Sequence, residues 1–223
     1  MISPPNVTPG KSYADSVKSK VINDDTTIIN DNEANMSQVN NPEINIDVVF
    51  HQMKDWEYTN RRSNTHYNFS QLNFNTDNIE VVGVSVNCQN NKINIVNVYR
   101  PPNQNIKFND YQEVLHNLSD NIVLLGDFNS RSSMWGSSTT DSNGNIIEKV
   151  IDQNNLIILN DGTGTFQTVT GNRTQIDLTL VSASLANDSQ WSVLDDKLGS
   201  DHFPDLTVLN AKPVKNQVCT PQT

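Results

Sequence analysis

Residues 122–129 read Ile-Val-Leu-Leu-Gly-Asp-Phe-Asn, an apolar run followed by a turn that carries a carboxylate and an amide. An apolar run of this length that ends at glycine predicts a fully buried strand. Loops at the ends of rigid strands often hold functional side chains. Asp127 and Asn129 are two positions apart, so an extended chain points both to the same side. Gly-Asp-x-Asn is also an ordinary turn composition, so the stretch predicts a buried strand and offers two candidate site residues.

Composition limits the classes of protein to consider. The 223 residues, 35% of them hydrophobic, suit one domain of ordinary size with additional polar segments. A net charge of −10 argues against a protein that binds nucleic acid mainly through counterion release, but it allows carboxylates that hold a divalent cation. Two cysteines supply neither a disulfide framework nor a zinc spacing. With no secretory signal or apolar span, we expect an intracellular protein, nuclear or cytoplasmic, without a membrane partner.

The chain divides into three parts by composition. Residues 1–67 are rich in Asn, Asp, Ser, Thr and Pro, which predicts a disordered or unrelated segment in which only Ile44–Phe50 alternates like a strand. Residues 68–210 carry the sustained apolar patterns of a folded domain, and residues 211–223 are a tail. Residues 54–67 mix aromatic and basic side chains, which fits either a nucleic-acid-contacting surface or an exposed connector.

Within residues 68–210 the apolar periods predict strands and helices in alternation. A hairpin comes first, and an amphipathic helix follows at Phe108–Leu118. A second helix is expected at Asn145–Asn155, with Asn145 as its N-cap. The predicted strands are Ile79–Val86, Lys92–Tyr99, Ile122–Leu125, Leu156–Leu159, Gln175–Val181, Trp191–Leu194 and Leu206–Leu209. This order predicts an α/β domain built on mixed sheets.

Three further polar side chains stand where predicted strands meet loops: Tyr99, Asp177 and His202. Asp177 interrupts an apolar alternation, and a buried carboxylate requires a partner. His202 is the natural partner, because a carboxylate fixes one tautomer and favours the protonated ring. Each residue also has a structural alternative: Tyr99 packs in the core, Asp177 caps a turn, and His202 is a satisfied surface or core residue.

Four stretches together resemble the successive motifs of the endonuclease/exonuclease/phosphatase superfamily. They are Asn-Val-Tyr-Arg-Pro-Pro at 97–102, Leu-Leu-Gly-Asp-Phe-Asn at 124–129, Ile-Asp-Leu-Thr-Leu at 176–180 and Gly-Ser-Asp-His-Phe-Pro at 199–204. The closer likeness is to the apurinic-type endonuclease domains of jockey-like non-LTR retrotransposons. The resemblance implies a DNase I-like, four-layer α/β sandwich of two mixed β-sheets flanked by helices, incomplete at its N-terminus.

The resemblance also implies a reaction, which is metal-dependent phosphodiester hydrolysis that nicks DNA, with Mg²⁺ or alternatively Mn²⁺. Asp127 would position or deprotonate the attacking water, Asn129 would hold a phosphate oxygen, and Asp177 would orient His202. His202 would stabilise charge developing on the phosphate. The remaining implied roles are the scissile-phosphate contact for Tyr99, further DNA contacts for Arg131 and Trp135, and metal binding for Asp201 together with Asp127. The oligomeric state is left open.

Two departures from the family pattern leave an alternative open. The family takes an Asn and a metal-binding Glu from earlier strands, but neither Glu43 nor Glu57 ends a convincing buried strand. The alternative function is therefore a truncated, catalytically inactive remnant of the domain. Asp205 stands where the family usually has an aliphatic residue, and we expect it to weaken packing.

Overall fold

The computed structural model describes residues 68–76, 78–89, 91–119, 121–197 and 199–214, together with the backbone of residues 46–50. The strands are β1 Ile46–Phe50, β2 Phe69–Leu72, β3 Glu80–Asn87, β4 Lys92–Tyr99, β5 Ile122–Asp127, β6 Leu156–Ile158, β7 Phe166–Gln167, β8 Arg173–Thr174, β9 Asp177–Ser182, β10 Ser189–Val193 and β11 Asp205–Leu209. The helices are α1 Phe108–Leu115, α2 Ser142–Gln153 and α3 Ala183–Ala186, with one 3₁₀ turn at Ser133–Trp135.

The strands form two main sheets and one separate hairpin. A mixed six-stranded sheet has the order β2-β3-β4-β5-β9-β6, in which β4 and β5 are parallel and every other pair is antiparallel. An antiparallel three-stranded sheet has the order β1-β11-β10, and β7 pairs with β8. The predicted mixed-sheet α/β class is therefore confirmed.

Apolar side chains fill both faces of the large sheet. On one face, Val96, Val98 and Leu124 pack with the buried faces of α1 and α2. On the other face, Val123 and Val181 pack in a second cluster that includes Leu209 of β11. In the part of the chain that the structure describes, the layers are therefore helices, large sheet and small sheet. Because the side chains of β5 alternate between the two clusters, the whole strand is buried, as its apolar run predicts.

Gly126 fixes how β5 enters its terminal turn. Its φ is +139°, and a Cβ built there would lie 1.9 Å from the carbonyl oxygen of Val98 on the adjacent strand. Only glycine accommodates both this conformation and this approach. The glycine therefore allows β5 to lie against β4 at the point where Asp127 follows.

Several predicted boundaries are corrected by the structure. Helix α2 begins at Ser142 rather than Asn145, because Asp141 is the N-cap and its Oδ1 accepts a 2.7 Å hydrogen bond from the Gly144 N–H. The predicted strands at 175–181 and 191–194 are shifted to Asp177–Ser182 and Ser189–Val193. The strand expected at 44–50 forms at Ile46–Phe50 and pairs with β11.

At the start of β11, one oxygen of the buried Asp205 carboxylate has hydrogen-bond donors, whereas Oδ1 has none among the described residues. Its carboxylate is 1% exposed, and Oδ2 accepts hydrogen bonds from Trp191 Nε1 at 2.7 Å and Thr179 Oγ1 at 3.1 Å. Burial is the main cause that raises the pKa of Asp205, to about 7, and the charge of Asp177 adds to it, while the two hydrogen bonds oppose it. The expected cost of this buried carboxylate is thus offset at Oδ2, by one donor from the neighbouring strand β10 and one from β9 of the large sheet, but not at Oδ1.

Candidate active site

Tyr99, Asp127 and Asp177 lie in one row across three neighbouring strands of the large sheet. Tyr99 at the end of β4 is the Cα partner of Asp127 at the end of β5, and Asp127 is the Cα partner of Asp177 at the start of β9. Directly paired residues of adjacent strands project to the same face. The row faces the space between the two sheets, where both aspartates are nearly inaccessible, at 2% and 1% exposed.

His202 reaches this row from the loop before β11. Its Nδ1 lies 2.9 Å and 3.0 Å from the two carboxylate oxygens of Asp177. A carboxylate only accepts hydrogen bonds, so this contact places a proton on Nδ1. The ring of Phe166 packs edge-on against the imidazole with a centroid distance of 4.8 Å. Asp177 and Phe166 therefore fix the orientation of a buried histidine.

The pKa values of Asp127 and His202 are both raised, but for different reasons. Burial raises the pKa of Asp127 to about 7, assisted by the charge of Asp177 and opposed by His202 and by hydrogen bonds from Asn129. For His202, burial lowers the pKa, but the hydrogen bond and charge of Asp177 and the charges of Asp127 and Asp201 leave it above its usual value. The site therefore contains a carboxyl that titrates near neutrality beside an imidazole that favours its proton.

Asn129 holds Asp127 through both of its nitrogen atoms. Its backbone N–H donates to Asp127 Oδ1 and its side-chain Nδ2 to Asp127 Oδ2, each at 3.0 Å. The second amide hydrogen is directed to the Arg100 carbonyl at 2.9 Å, and the Asn129 backbone is left-handed with a φ of 43°. Asn129 therefore orients the Asp127 carboxylate.

Arg100 stabilises the turn that follows β5 through hydrogen bonds. The sequence analysis did not identify it as a site residue. Its side chain is 4% exposed, and Nη1 and Nη2 donate to the carbonyls of Asn129 at 3.2 Å and Gln104 at 2.7 Å. Its backbone N–H donates to the Asp127 carbonyl at 2.9 Å. A signal was present in the sequence, because the arginine directly follows a predicted strand end at Tyr99 and precedes two prolines.

A cleft of about 350 Å³ opens onto these groups. Predicted site residues that line it are Tyr99, Asp127, Asn129, Arg131 and His202. Asp141, Phe166 and Thr174 also line it and were not predicted as site residues. A larger cleft of about 530 Å³ lies along α1 and contains none of the predicted site residues, so the smaller one is the candidate active site.

Three predicted site residues are not part of this cleft lining. Asp177 is nearly inaccessible and is hydrogen-bonded to His202, which does line the cleft. Trp135 is 1% exposed and belongs to the core beneath the helices, so the structure gives it a packing role rather than a substrate-facing position. Asp201 is exposed on the loop that delivers His202, and its charge acts on the imidazole. Glu43 and Glu57 lie outside the described residues.

Three of the buried groups are close enough to share a metal ion. One ligand atom each from Asp127, Asp177 and His202 can be chosen so that all lie within 4.8 Å of one another. Asp177 and His202 are already bonded to each other, so Asp127 is the carboxylate best placed toward the cleft. Mg²⁺ is usually held by one or two carboxylates together with substrate phosphates and water. The donor set fits such a cation.

None of the helices in the described part of the chain is long and apolar enough to cross a membrane.

Comparisons with known proteins agree with this geometry. A relative in Drosophila melanogaster, the RNA-directed DNA polymerase from mobile element jockey, is 24% identical over 141 residues, which are 63% of this chain and 15% of the relative. The chain thus spans a small part of that protein. The endonuclease domain of TRAS1, a telomere-specific non-LTR retrotransposon, superposes with a TM-score of 0.58 at 24% identity, covering 64% of this chain and 67% of that domain. This likeness confirms the DNase I-like fold.

The family model described as endonuclease-reverse transcriptase matches residues 93–206, about half of the chain. The matched segment contains β5, β9, all of β4 except Lys92, and every member of the candidate site from Tyr99 to His202. The chain therefore belongs to the endonuclease-reverse transcriptase family, within the endonuclease/exonuclease/phosphatase superfamily.

Proposed function

We propose that this domain hydrolyses a phosphodiester bond of DNA and so nicks one strand. The observation that carries the proposal is the convergence of Asp127 and an Asp177–His202 pair at the end of one cleft. A carboxylate that titrates near neutrality and a protonated imidazole are the base and the acid that attack of water on phosphorus requires. Family membership and the fold support the same reaction.

Asp127 is the proposed base. Its pKa of about 7 lets the ionised form exist at physiological pH while retaining the basicity needed to accept a proton from water. Asn129 holds the carboxylate in position through two hydrogen bonds. Contact between Asn129 and a phosphate oxygen, which the family resemblance implies, would require exchange of one of the hydrogen bonds its amide already makes.

His202 is the proposed stabiliser of the developing charge. Because Nδ1 is held by Asp177, the other ring nitrogen is available to the cleft and can donate to an oxygen on phosphorus. Preorganised donors of this kind contribute roughly 3–4 kcal/mol each to transition-state stabilisation. Tyr99 and Arg131 line the same cleft and are proposed to contact the substrate phosphate.

A divalent cation, Mg²⁺ or Mn²⁺, is the proposed cofactor, held by Asp127 with Asp201 nearby on the histidine loop. When bound, it would neutralise phosphate charge and favour ionised carboxylates. The chain's own residues supply the base, the hydrogen-bond donor and the positioning contacts described above.

The test is a nicking assay on supercoiled plasmid with Mg²⁺, Mn²⁺ or EDTA, run beside Asp127→Ala and His202→Ala. We expect cation-dependent conversion to the open circle that both substitutions abolish. Ser130→Ala, which changes a buried hydroxyl beside the same turn, serves as a matched control for folding and purity. Nicking that survives both substitutions refutes the assignment. Absence of nicking by the intact, folded chain would favour the inactive remnant.

A further inference from the structure

Phe203, the residue after His202, lies against two cationic side chains. The Arg173 Cζ is 3.6 Å from the ring centroid, and the Lys197 Nζ is 5.8 Å from it. Phe203 is 5% exposed, whereas Arg173 is exposed and Lys197 half-buried. The ring therefore orients the guanidinium group while its N–H donors remain accessible to a ligand.

These two cations also lack carboxylate partners in the part of the chain that the structure describes. The Lys197 Nζ donates to Gln167 Oε1 at 2.5 Å, and Gln167 is the strand partner of Arg173 in the β7–β8 hairpin. The ion pair found among the described residues joins His202 to Asp177 instead. Both cations are therefore available to an anionic ligand without first breaking an ion pair within the described residues.

The cations lie on the reverse side of the hairpin from the catalytic cleft. Phe166 and Thr174 are partners in the hairpin and both line the cleft. Their neighbours Gln167 and Arg173 project to the opposite face because side chains alternate along a strand. A layer packed on either face of a sheet is about 10 Å from it, so ligand groups on opposite faces are up to about 20 Å apart, roughly six nucleotides of a strand that rises 3.4 Å per nucleotide.

We propose that Arg173 and Lys197 form a second phosphate-binding position, so that the substrate is a polynucleotide long enough to reach both faces of the hairpin. This inference rests on the proposed function and specifies its substrate. The planar guanidinium suits a phosphate, to which it donates two parallel hydrogen bonds, and the lysine adds a point charge. A small phosphodiester reaches the cleft alone and gains nothing from the second position.

The competing explanation is that the two cations only shield the Phe203 ring from water. A measurement of equilibrium binding to DNA distinguishes this explanation from the proposed phosphate-binding position. The intact chain is titrated in EDTA against a fluorescent DNA duplex of about 20 base pairs, two helical turns, at several salt concentrations. Arg173→Gln, Lys197→Gln and the double variant are compared with Lys149→Gln. The control also removes a lysine from an aromatic ring, since the Lys149 Nζ lies 4.3 Å from the centre of Phe108 on the helical side.

A plot of the logarithm of the DNA-binding constant against the logarithm of the salt concentration has a negative slope. Each lost phosphate contact reduces the magnitude of this slope by about 0.9. We therefore expect a reduction of about 2 for the double variant, none for Lys149→Gln, and none for the charge-conserving Arg173→Lys. Equal slopes for the double variant and the Lys149 control overturn the inference. If the double variant does not melt cooperatively, the two single variants and Arg173→Lys decide by the same criterion.

Hydrolysis assays keep this inference separate from the proposed function. With Mg²⁺, bis(p-nitrophenyl) phosphate should be cleaved equally by the intact chain and the hairpin variants, whereas the KM for duplex nicking should rise in the variants. A loss of small-substrate cleavage in the hairpin variants would contradict a separate binding position. Failure of the intact chain to cleave either substrate would refute the proposed function, while the salt slopes would still test the phosphate-binding position.

Discussion

Replacing Asp205 with Asn should remove a large part of the stability that the protein loses as the pH rises from about 4 to about 7. An unfolded Asp has a pKa of about 3.9, whereas burial raises the pKa of Asp205 to about 7 in the folded protein. Below about pH 4 the carboxyl is protonated in both states. Between the two pKa values only the folded chain keeps the proton, so stability falls as pH rises.

The size of this effect follows from the two pKa values. Each pH unit between them costs about 1.4 kcal/mol of unfolding free energy, so the full window is worth roughly 4 kcal/mol and the part from pH 5 to pH 7 roughly 3 kcal/mol. Above about pH 7 both states are ionised and the loss stops. An asparagine of nearly equal volume can still accept from Trp191 and Thr179 through its carbonyl. It therefore keeps the packing without the titration.

The assay is equilibrium urea unfolding of the intact chain at pH 5 and pH 8. We expect Asp205→Asn to lose about 3 kcal/mol less than the parent protein between these pH values. The exposed Asp195→Asn removes the same formal charge and should leave the parental dependence unchanged. If Asp205→Asn and the parent lose equal stability over this range, the buried-carboxyl explanation is refuted.

Three further predictions concern the site and the strand that supports it. Asp177→Asn should reduce the nicking rate about 10²- to 10⁴-fold with little change in duplex binding, because the His202 ring no longer has its proton held on Nδ1. Equal losses of nicking and of binding would contradict this. Arg100→Gln should lower kcat more than it raises KM, because Asn129 loses the donor to its carbonyl, and Arg100→Lys should restore part of the loss. Gly126→Ala should abolish cooperative thermal unfolding, because the added Cβ collides with the β4 backbone; a parental melting temperature would refute the proposed constraint.

Local sequence patterns predicted the elements whose apolar period is long and uninterrupted. Strand β4 was predicted with its observed bounds, and β5 is buried along its whole length. Helix α2 begins earlier than predicted because its first turn is polar and its apolar period starts only at Ile146. Strand β2 was missed because it is short and mostly exposed, so its position depends on pairing with β3 rather than on a pattern of its own.

The site residues could be predicted from the sequence only because four short motifs occur in the same order as in the endonuclease/exonuclease/phosphatase superfamily. Their meeting depends on pairings between distant strands, which no local pattern specifies. The hydrogen bonds formed by Arg100 and the two donors to Asp205 illustrate this limit. In each case a buried polar side chain bonds to groups distant in the sequence, Asn129 for Arg100 and Thr179 for Asp205, so these partners become visible only in three dimensions.

The register of the large sheet also has a consequence for biosynthesis. Asp127 and Asp177 become direct neighbours when β9 pairs with β5, but the imidazole that compensates their charge follows later in the chain. A nascent chain that has emerged only as far as β9 therefore presents two opposed carboxylates and an unfinished second sheet. Non-local pairings of this kind fold slowly, and exposed strand edges promote aggregation meanwhile. Ribosome stalling between β9 and β11 should consequently yield a chain that requires chaperones.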